Sequence, residues 1–72
     1  MSKLPAMTPA KVIRALEHAG FVFERQRGSH RIYVRAHIGI TIPFHAKDLR
    51  KGTLKSIIQQ SGLTVEEFLE LL

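Results

Sequence analysis

The stretch RQRGSHRIY, residues 25–33, brings together side chains that suit chemistry on a phosphate group. His30 follows a Gly-Ser pair, and the stretch contains three arginines, Arg25, Arg27 and Arg31. Imidazole can give or take a proton near neutral pH, and guanidinium groups stabilise negative charge on phosphoryl oxygens. Gly28 would let the backbone approach a phosphate closely, and Ser29 adds a hydroxyl group.

This set of residues suits cleavage of RNA without a metal ion. The 2′-hydroxyl group of RNA supplies the nucleophile, so the protein needs only to move protons and stabilise charge. His30 is the candidate general base or acid, and Arg27 and Arg31 are candidate phosphate contacts. The alternative is that His30 merely begins a strand after a turn. Strict alternation would place it on the face of Ile32 and Val34, unless the turn twists the start of the strand.

A second group of candidate contacts lies in the stretch FHAKDLRKGTLK, which leads into a predicted helix. Its candidate RNA-binding residues are His45, Lys47, Arg50, Lys51 and Lys55. Cations are disfavoured at the start of a helix, so this density of positive charge favours a bound phosphate. Asp48 could orient the ring of His45 and give that histidine a part in catalysis. The alternative is a basic helix start that only meets solvent.

The available ligands argue against metal-dependent hydrolysis. A two-metal nuclease needs several converging carboxylates, but Glu17, Glu24 and Asp48 are the only acids before residue 64, and each falls in a different predicted element. The chain has no cysteine, its histidines lack the spacing of a zinc site, and its glycines form no phosphate-binding loop. We therefore expect no metal and no other cofactor.

The charge is unevenly placed along the chain. The formal net charge is +5, yet residues 1–63 hold all eleven Lys and Arg against three acids, whereas residues 64–72 hold three acids alone. A basic segment of this kind is typical of a nucleic-acid-binding protein. No apolar run approaches the roughly 20 residues that span a bilayer, and the polar start lacks a signal-peptide core. We expect a cytoplasmic protein with no membrane partner.

Periodicity predicts the elements that position these residues. We assign residues 1–72 to one domain, with a loose arm over residues 1–7. Thr8 caps a first helix, which ends at Gly20. After Gly20, apolar residues recur at every second position instead of every 3.6 residues, which is typical of strands. Three strands follow in an antiparallel meander, with turns at residues 27–29 and 36–37.

Two helices complete the predicted order α-β-β-β-α-α. The first ends at Gly62, and the second begins at a capping box formed by Thr64 and Glu67. The result is an α+β fold with helices on one face of a three-stranded sheet. We expect Tyr33 and Thr41 on the open face of that sheet.

From about Met7 onward the chain resembles the HicA-type (YcfA-like) toxins of bacterial toxin-antitoxin pairs. The blocks VIRALEHAGF, RQRGSHRIY and IPFHAKDLRKGTLKSIIQQSGLTVEEFLELL carry the resemblance, although RAHIGI is shorter than the usual second hairpin. The resemblance implies a double-stranded-RNA-binding-domain-like fold, ribosome-independent cleavage of mRNA, and neutralisation by a HicB-type antitoxin. It also implies that His30 of the GSH motif is catalytic, with Gly28 as its backbone companion. We expect a monomer alone and a hetero-oligomer with the antitoxin.

Two other functions fit the same residues. A non-catalytic RNA-binding module would use His30 only to contact a phosphate or a 2′-hydroxyl group. A protein-interaction domain would use the basic surface to dock an acidic partner. Cleavage of RNA by the pure protein distinguishes the first interpretation from both alternatives.

Overall fold

A computed structural model describes residues 4–72, and the six predicted elements are present in the predicted order. They are α1 (Pro9–His18), β1 (Val22–Arg27), β2 (His30–Arg35), β3 (Ile38–Pro43), α2 (Lys51–Ser61) and α3 (Val65–Glu70). The strands form one antiparallel sheet with β2 in the centre. The α+β fold is therefore confirmed. None of the helices in the described part of the chain is long and apolar enough to cross a membrane.

Local capping chemistry sets the starts of two helices. The Thr8 hydroxyl accepts a hydrogen bond from the Lys11 N–H at 3.4 Å, and Pro9 is the first residue of α1. At α3, the Thr64 hydroxyl accepts from the Glu67 N–H at 3.1 Å, and the Glu67 carboxylate accepts from the Thr64 N–H at 2.8 Å. Both starts were predicted, because each cap depends on residues no more than three positions apart.

The helices pack on the face of the sheet that carries Tyr33, Ile40 and Ile42. Tyr33 is 4% exposed, and Ile40 and Ile42 are 0% exposed. Ile32 and Val34 alternate with Tyr33 along β2, so they lie on the opposite, open face, where both are only half-buried. The prediction that Tyr33 lies on the open face is therefore wrong.

Two arginines share the helix-covered face, although alternation of charged residues predicts a solvent-facing side. The guanidinium carbon of Arg31 lies 3.6 Å from the centroid of the Phe44 ring. That of Arg35 lies 4.9 Å from the Phe21 centroid, and Arg35 Nη1 donates to the Ala19 carbonyl at 2.6 Å. The aliphatic parts of both arginine side chains add apolar surface, and their guanidinium groups stack on phenylalanine rings. This face of the sheet can therefore be buried despite its arginines.

One core joins the helices to the sheet, and α3 closes it. The buried hydrophobic residues are Met7, Val12, Ile13, Ala15, Leu16, Phe21, Tyr33, Ile40, Ile42, Leu49, Leu54, Ile57, Ile58 and Phe68. Phe68 of α3 is 0% exposed. His18 Nδ1 lies 2.9 Å from the Leu71 carbonyl oxygen, so a proton on Nδ1 ties the end of α1 to the residue after α3.

Residues 4–7 pack against the body of the domain. Leu4 packs against the core, Met7 is buried, and the Met7 carbonyl accepts from the Leu49 N–H at 2.9 Å. The loose arm was predicted over residues 1–7, of which residues 1–3 lie outside the described part of the chain. The bond to Leu49 joins this segment to the stretch that precedes α2.

The turn between β2 and β3 places a residue other than glycine in the left-handed region. Arg35 pairs with Ile38, which leaves a two-residue turn, and Ala36 there has a φ of 53°. This conformation costs an L-residue roughly 1–2 kcal/mol. Glycine avoids the cost, but part of the gain in stability is lost because glycine gives the unfolded chain more conformational entropy. We expect Ala36→Gly to stabilise the domain by about 0.5–1 kcal/mol and to raise Tm by roughly 2–8 °C.

Thermal unfolding followed by circular dichroism measures this change. Ala46→Gly is the matched control, because Ala46 is exposed and is not among the described residues with positive φ. It should leave Tm unchanged or lower it. A Tm for Ala36→Gly that is no higher than that of the wild type would contradict the strain assigned to this turn.

Candidate functional site

The GSH motif forms the first turn of the sheet and exposes His30. Arg27 pairs with His30, so Gly28 and Ser29 are the two turn residues. Gly28 has a φ of 58° and Ser29 has no positive φ, the combination of a type II′ turn, in which glycine is favoured at the first position. His30 is the exposed first residue of β2. Alternation puts it on the open face with Ile32, so its exposure requires no twist of the strand.

Phe44 connects this turn to the basic stretch after β3. The Phe44 N–H donates to the Ser29 carbonyl at 2.7 Å, which extends the pairing beyond the end of β3. The Phe44 ring stacks under the Arg31 guanidinium and packs against the core. The backbone of the GSH turn and that of the following stretch are thus held in a fixed relation.

Two open grooves meet beside His30. The histidine groove, of about 420 Å³, is lined by His30, Thr41, Pro43, Gly52, Thr53, Ser56, Ile57 and Gln60. The basic groove, of about 430 Å³, is lined by Pro43, His45, Lys47, Asp48, Leu49, Arg50 and Thr53. Pro43 and Thr53 belong to both. A ligand that occupies the basic groove therefore lies next to the histidine groove.

The basic groove includes the start of α2, which favours an anion. Arg50 is the N-cap residue of α2, and within the described residues no side chain caps this end. The first turn of α2 contains no acid, so its free N–H groups and partial positive charge are not neutralised there. Lys47 and Arg50 add two full charges to the groove, against the single carboxylate of Asp48.

The structure divides the predicted RNA-binding residues into two sets. His45, Lys47 and Arg50 line the basic groove, which adjoins His30. Lys51 instead lies beside a hollow near Leu4 and Leu49, and Lys55 beside one near Ile58 and Leu63. These two lysines do not line either groove.

Arg27 and Arg31 flank the GSH turn and differ in whether their side chains contact other residues of the domain. Arg27 is exposed at the end of β1, opposite His30. Arg31 is half-buried, stacks on Phe44, and donates from Nε to the Gln26 side-chain oxygen at 3.2 Å. Arg31 is therefore engaged within the domain, whereas Arg27 can meet a ligand.

His45 and Asp48 both line the basic groove but are not paired. Among residues 4–72, the one ion pair joins Arg25 to Glu24. The suggested orientation of the His45 ring by Asp48 is thus not present in this structure. No three His, Cys, Asp or Glu side chains of the described residues gather into a group that could hold a metal ion.

The wall of the histidine groove contributed by α2 was not predicted from the sequence. Gly52, Ser56 and Gln60 of α2 form this wall together with Thr53 and Ile57. Their spacing of four residues is the one local signal that they share a helix face. Nothing local to α2 indicates that this face lies beside a histidine more than twenty residues earlier in the chain.

Comparison with known proteins identifies the family. A family model described as the HicA toxin of bacterial toxin-antitoxin systems matches residues 9–63. The matched span includes every residue that lines the two grooves. No curated protein matches the chain at a significant level. Because the family model covers more than half of the 72 residues, the chain belongs to the HicA toxin family.

Proposed function

We propose that this HicA-family toxin is a metal-independent endoribonuclease that cleaves mRNA, with His30 as the group that transfers protons. The observation that carries the proposal is the junction of the two grooves at Pro43 and Thr53. An RNA strand whose phosphates contact Lys47 and Arg50 would pass His30 at this junction. Cleavage of mRNA places the action of the toxin in the cytoplasm.

The chemistry needs only groups of the protein and of the RNA. The 2′-oxygen attacks the adjacent phosphorus and loses its proton, the bond to the 5′-oxygen of the next nucleotide breaks, and that oxygen gains a proton. His30 performs one of these two transfers. Cationic side chains stabilise the charge that develops on the phosphoryl oxygens. The products are a 2′,3′-cyclic phosphate and a 5′-hydroxyl group.

His45 is the candidate for the second proton transfer, because it lines the groove that adjoins His30. If one histidine removes the proton from the 2′-oxygen, the other can donate a proton to the leaving oxygen. Arg27 is exposed and close to His30 in the sheet, which fits a phosphate contact. Gly28 and Ser29 complete this contact through the backbone and hydroxyl of the turn.

The remaining predicted cations act at longer range in this proposal. Lys51 and Lys55 strengthen the positive field that attracts RNA, although neither lines a groove. Arg31 holds Phe44 and thereby the turn that carries His30. Its loss would disturb the site without removing a direct contact to RNA.

The family implies an antitoxin as partner. We propose that this antitoxin is of the HicB type and that it covers the two grooves with acidic residues, since blocking the surface used on RNA is sufficient for inhibition. A standard interface covers roughly 800 Å² per partner. The total accessible surface of the domain is 4801 Å², so one such interface takes up about a sixth of it.

The test is incubation of the pure protein with a defined RNA in the presence of EDTA. We expect cut products that end in a 2′,3′-cyclic phosphate, detected by mass spectrometry. The matched control is the same RNA with 2′-O-methyl groups, which should stay intact because the nucleophile is blocked.

Three results would contradict the proposal. Binding without cleavage would indicate the non-catalytic RNA-binding module. No binding at all would favour the protein-interaction domain. Cleavage that requires added magnesium, or that also cuts the 2′-O-methyl RNA, would mean a different mechanism.

A further inference from the structure

The wall of the histidine groove contributed by α2 carries a stripe of three residues, two of which are joined by a hydrogen bond. Gly52, Ser56 and Gln60 follow one another at intervals of four residues and so form one stripe along the helix. Gln60 Nε2 donates to Ser56 Oγ at 3.0 Å. This bond engages one N–H of the carboxamide and leaves its oxygen and its second N–H for another partner.

Gly52 keeps one end of the stripe open. Gly52 is the second residue of α2 and lies in its first turn. Gly52 has no positive φ among the described residues, and a Cβ atom built there would meet nothing within 4 Å. The end of the stripe at Gly52 is therefore open to solvent.

The size of the groove suits one nucleotide. Sites for small ligands have volumes of roughly 300–1,000 Å³, and the histidine groove has about 420 Å³. The sheet contributes His30, Thr41 and Pro43 to its lining, and α2 contributes Gln60 among others. RNA is read most readily in single strands, whose unpaired bases offer their edges to side chains.

We propose that the histidine groove binds the base of one nucleotide beside the cut and that Gln60 selects this base. The proposal rests on the RNA-cleaving function proposed above. The free oxygen and N–H of the carboxamide match a base edge on which a donor lies beside an acceptor. Ser56 is a positioning residue, because its hydroxyl holds the carboxamide in place. Gln60 therefore gives the toxin a base preference at a fixed distance from the cut.

The chain offers a matched pair of variants for the test, Gln60→Glu and Gln59→Glu. Both change the net charge equally at adjacent exposed positions of α2, but Gln59 lines the hollow beside Leu63 instead of the histidine groove. A carboxylate only accepts hydrogen bonds, so it favours an edge with two adjacent donors, which guanine presents at N1 and N2.

The experiment maps all cut sites in one RNA of random sequence by sequencing the ends of the products. For the wild type we expect a base preference at one position near the cut. For Gln60→Glu we expect guanine at that position to be enriched about fivefold or more over the wild type, as two specific hydrogen bonds allow. Gln59→Glu should keep the wild-type profile, and circular dichroism verifies that both variants are folded.

Three outcomes would overturn the inference. They are a wild-type profile without a base preference, an unchanged profile in Gln60→Glu, and an equal change in Gln59→Glu. If Gln60→Glu does not fold, Gln60→Leu replaces it and should remove the preference. In each of these outcomes the wild type still cuts RNA, so the function proposed above stands. A wild type that does not cut RNA at all would overturn both.

Discussion

Replacing His30 by alanine is expected to lower RNA cleavage at least a hundredfold and to end growth arrest in cells that express the toxin. A positioned proton-transfer group contributes roughly 10²–10⁴-fold to the rate. His30 is exposed, so its removal should change the free energy of unfolding by no more than about 0.5 kcal/mol. Cleavage assays measure the first effect, and thermal unfolding measures the second.

His37→Ala is the matched control for this variant. His37 is exposed like His30, but it lies in the turn at the opposite end of β2. It should retain wild-type cleavage. Strong destabilisation of His30→Ala with residual cleavage would instead mean that His30 only supports the start of the strand.

Reversing the charges of Lys47 and Arg50 together is expected to weaken the binding of RNA and of the antitoxin at least a hundredfold each. Both residues line the basic groove, where glutamates would face the phosphates of RNA or the acids of the antitoxin. Like charges brought together at an interface cost several kcal/mol, and about 2.7 kcal/mol corresponds to a hundredfold change in Kd. Titrations at low salt with purified RNA and antitoxin measure both affinities.

The control for this variant is the pair Lys51→Glu and Lys55→Glu, which changes the net charge by the same amount outside the grooves. This control variant should weaken the binding of RNA and of the antitoxin less than the Lys47 and Arg50 variant does. An equal loss of RNA binding would show that the wider set of cations makes the contacts. If the Lys47 and Arg50 variant loses RNA but keeps the antitoxin, the two partners do not share this surface.

Helix starts and strand order could be predicted because their signals are local. Thr8 and Pro9 define the start of α1 within two positions, and Thr64 and Glu67 define that of α3. The period of two likewise indicates the strands. It does not say which face of a strand the helices cover, because that depends on partners far away in the sequence.

The error at Tyr33 illustrates this limit. Ile32 and Val34 are more apolar than the residues that alternate with them, so the sequence favours burial of their side. The structure buries Tyr33 because Arg31 and Arg35 can stack on aromatic rings of other segments. His30 lies on the same face of β2 as Ile32. Because that face was expected to be buried, the sequence offered no simple reason for His30 to be exposed.

The candidate site was predictable only in part for the same reason. His30, Lys47 and Arg50 have side chains whose chemistry is evident from their type and neighbours. Ser56 and Gln60 are ordinary polar residues of a helix, and only the packing of α2 against the sheet brings them into the groove that His30 lines.

The position of α3 in the fold determines when during synthesis the toxin can become active. Phe68 is fully buried, and removing a buried Phe side chain costs roughly 3–5 kcal/mol. A domain of this size has a total stability of only about 4–11 kcal/mol, at 0.05–0.15 kcal/mol per residue. A nascent chain that has reached α2 already contains His30 and Gln60, yet it lacks the helix that closes the core. We therefore expect the cutting site to form only after α3 has emerged from the ribosome.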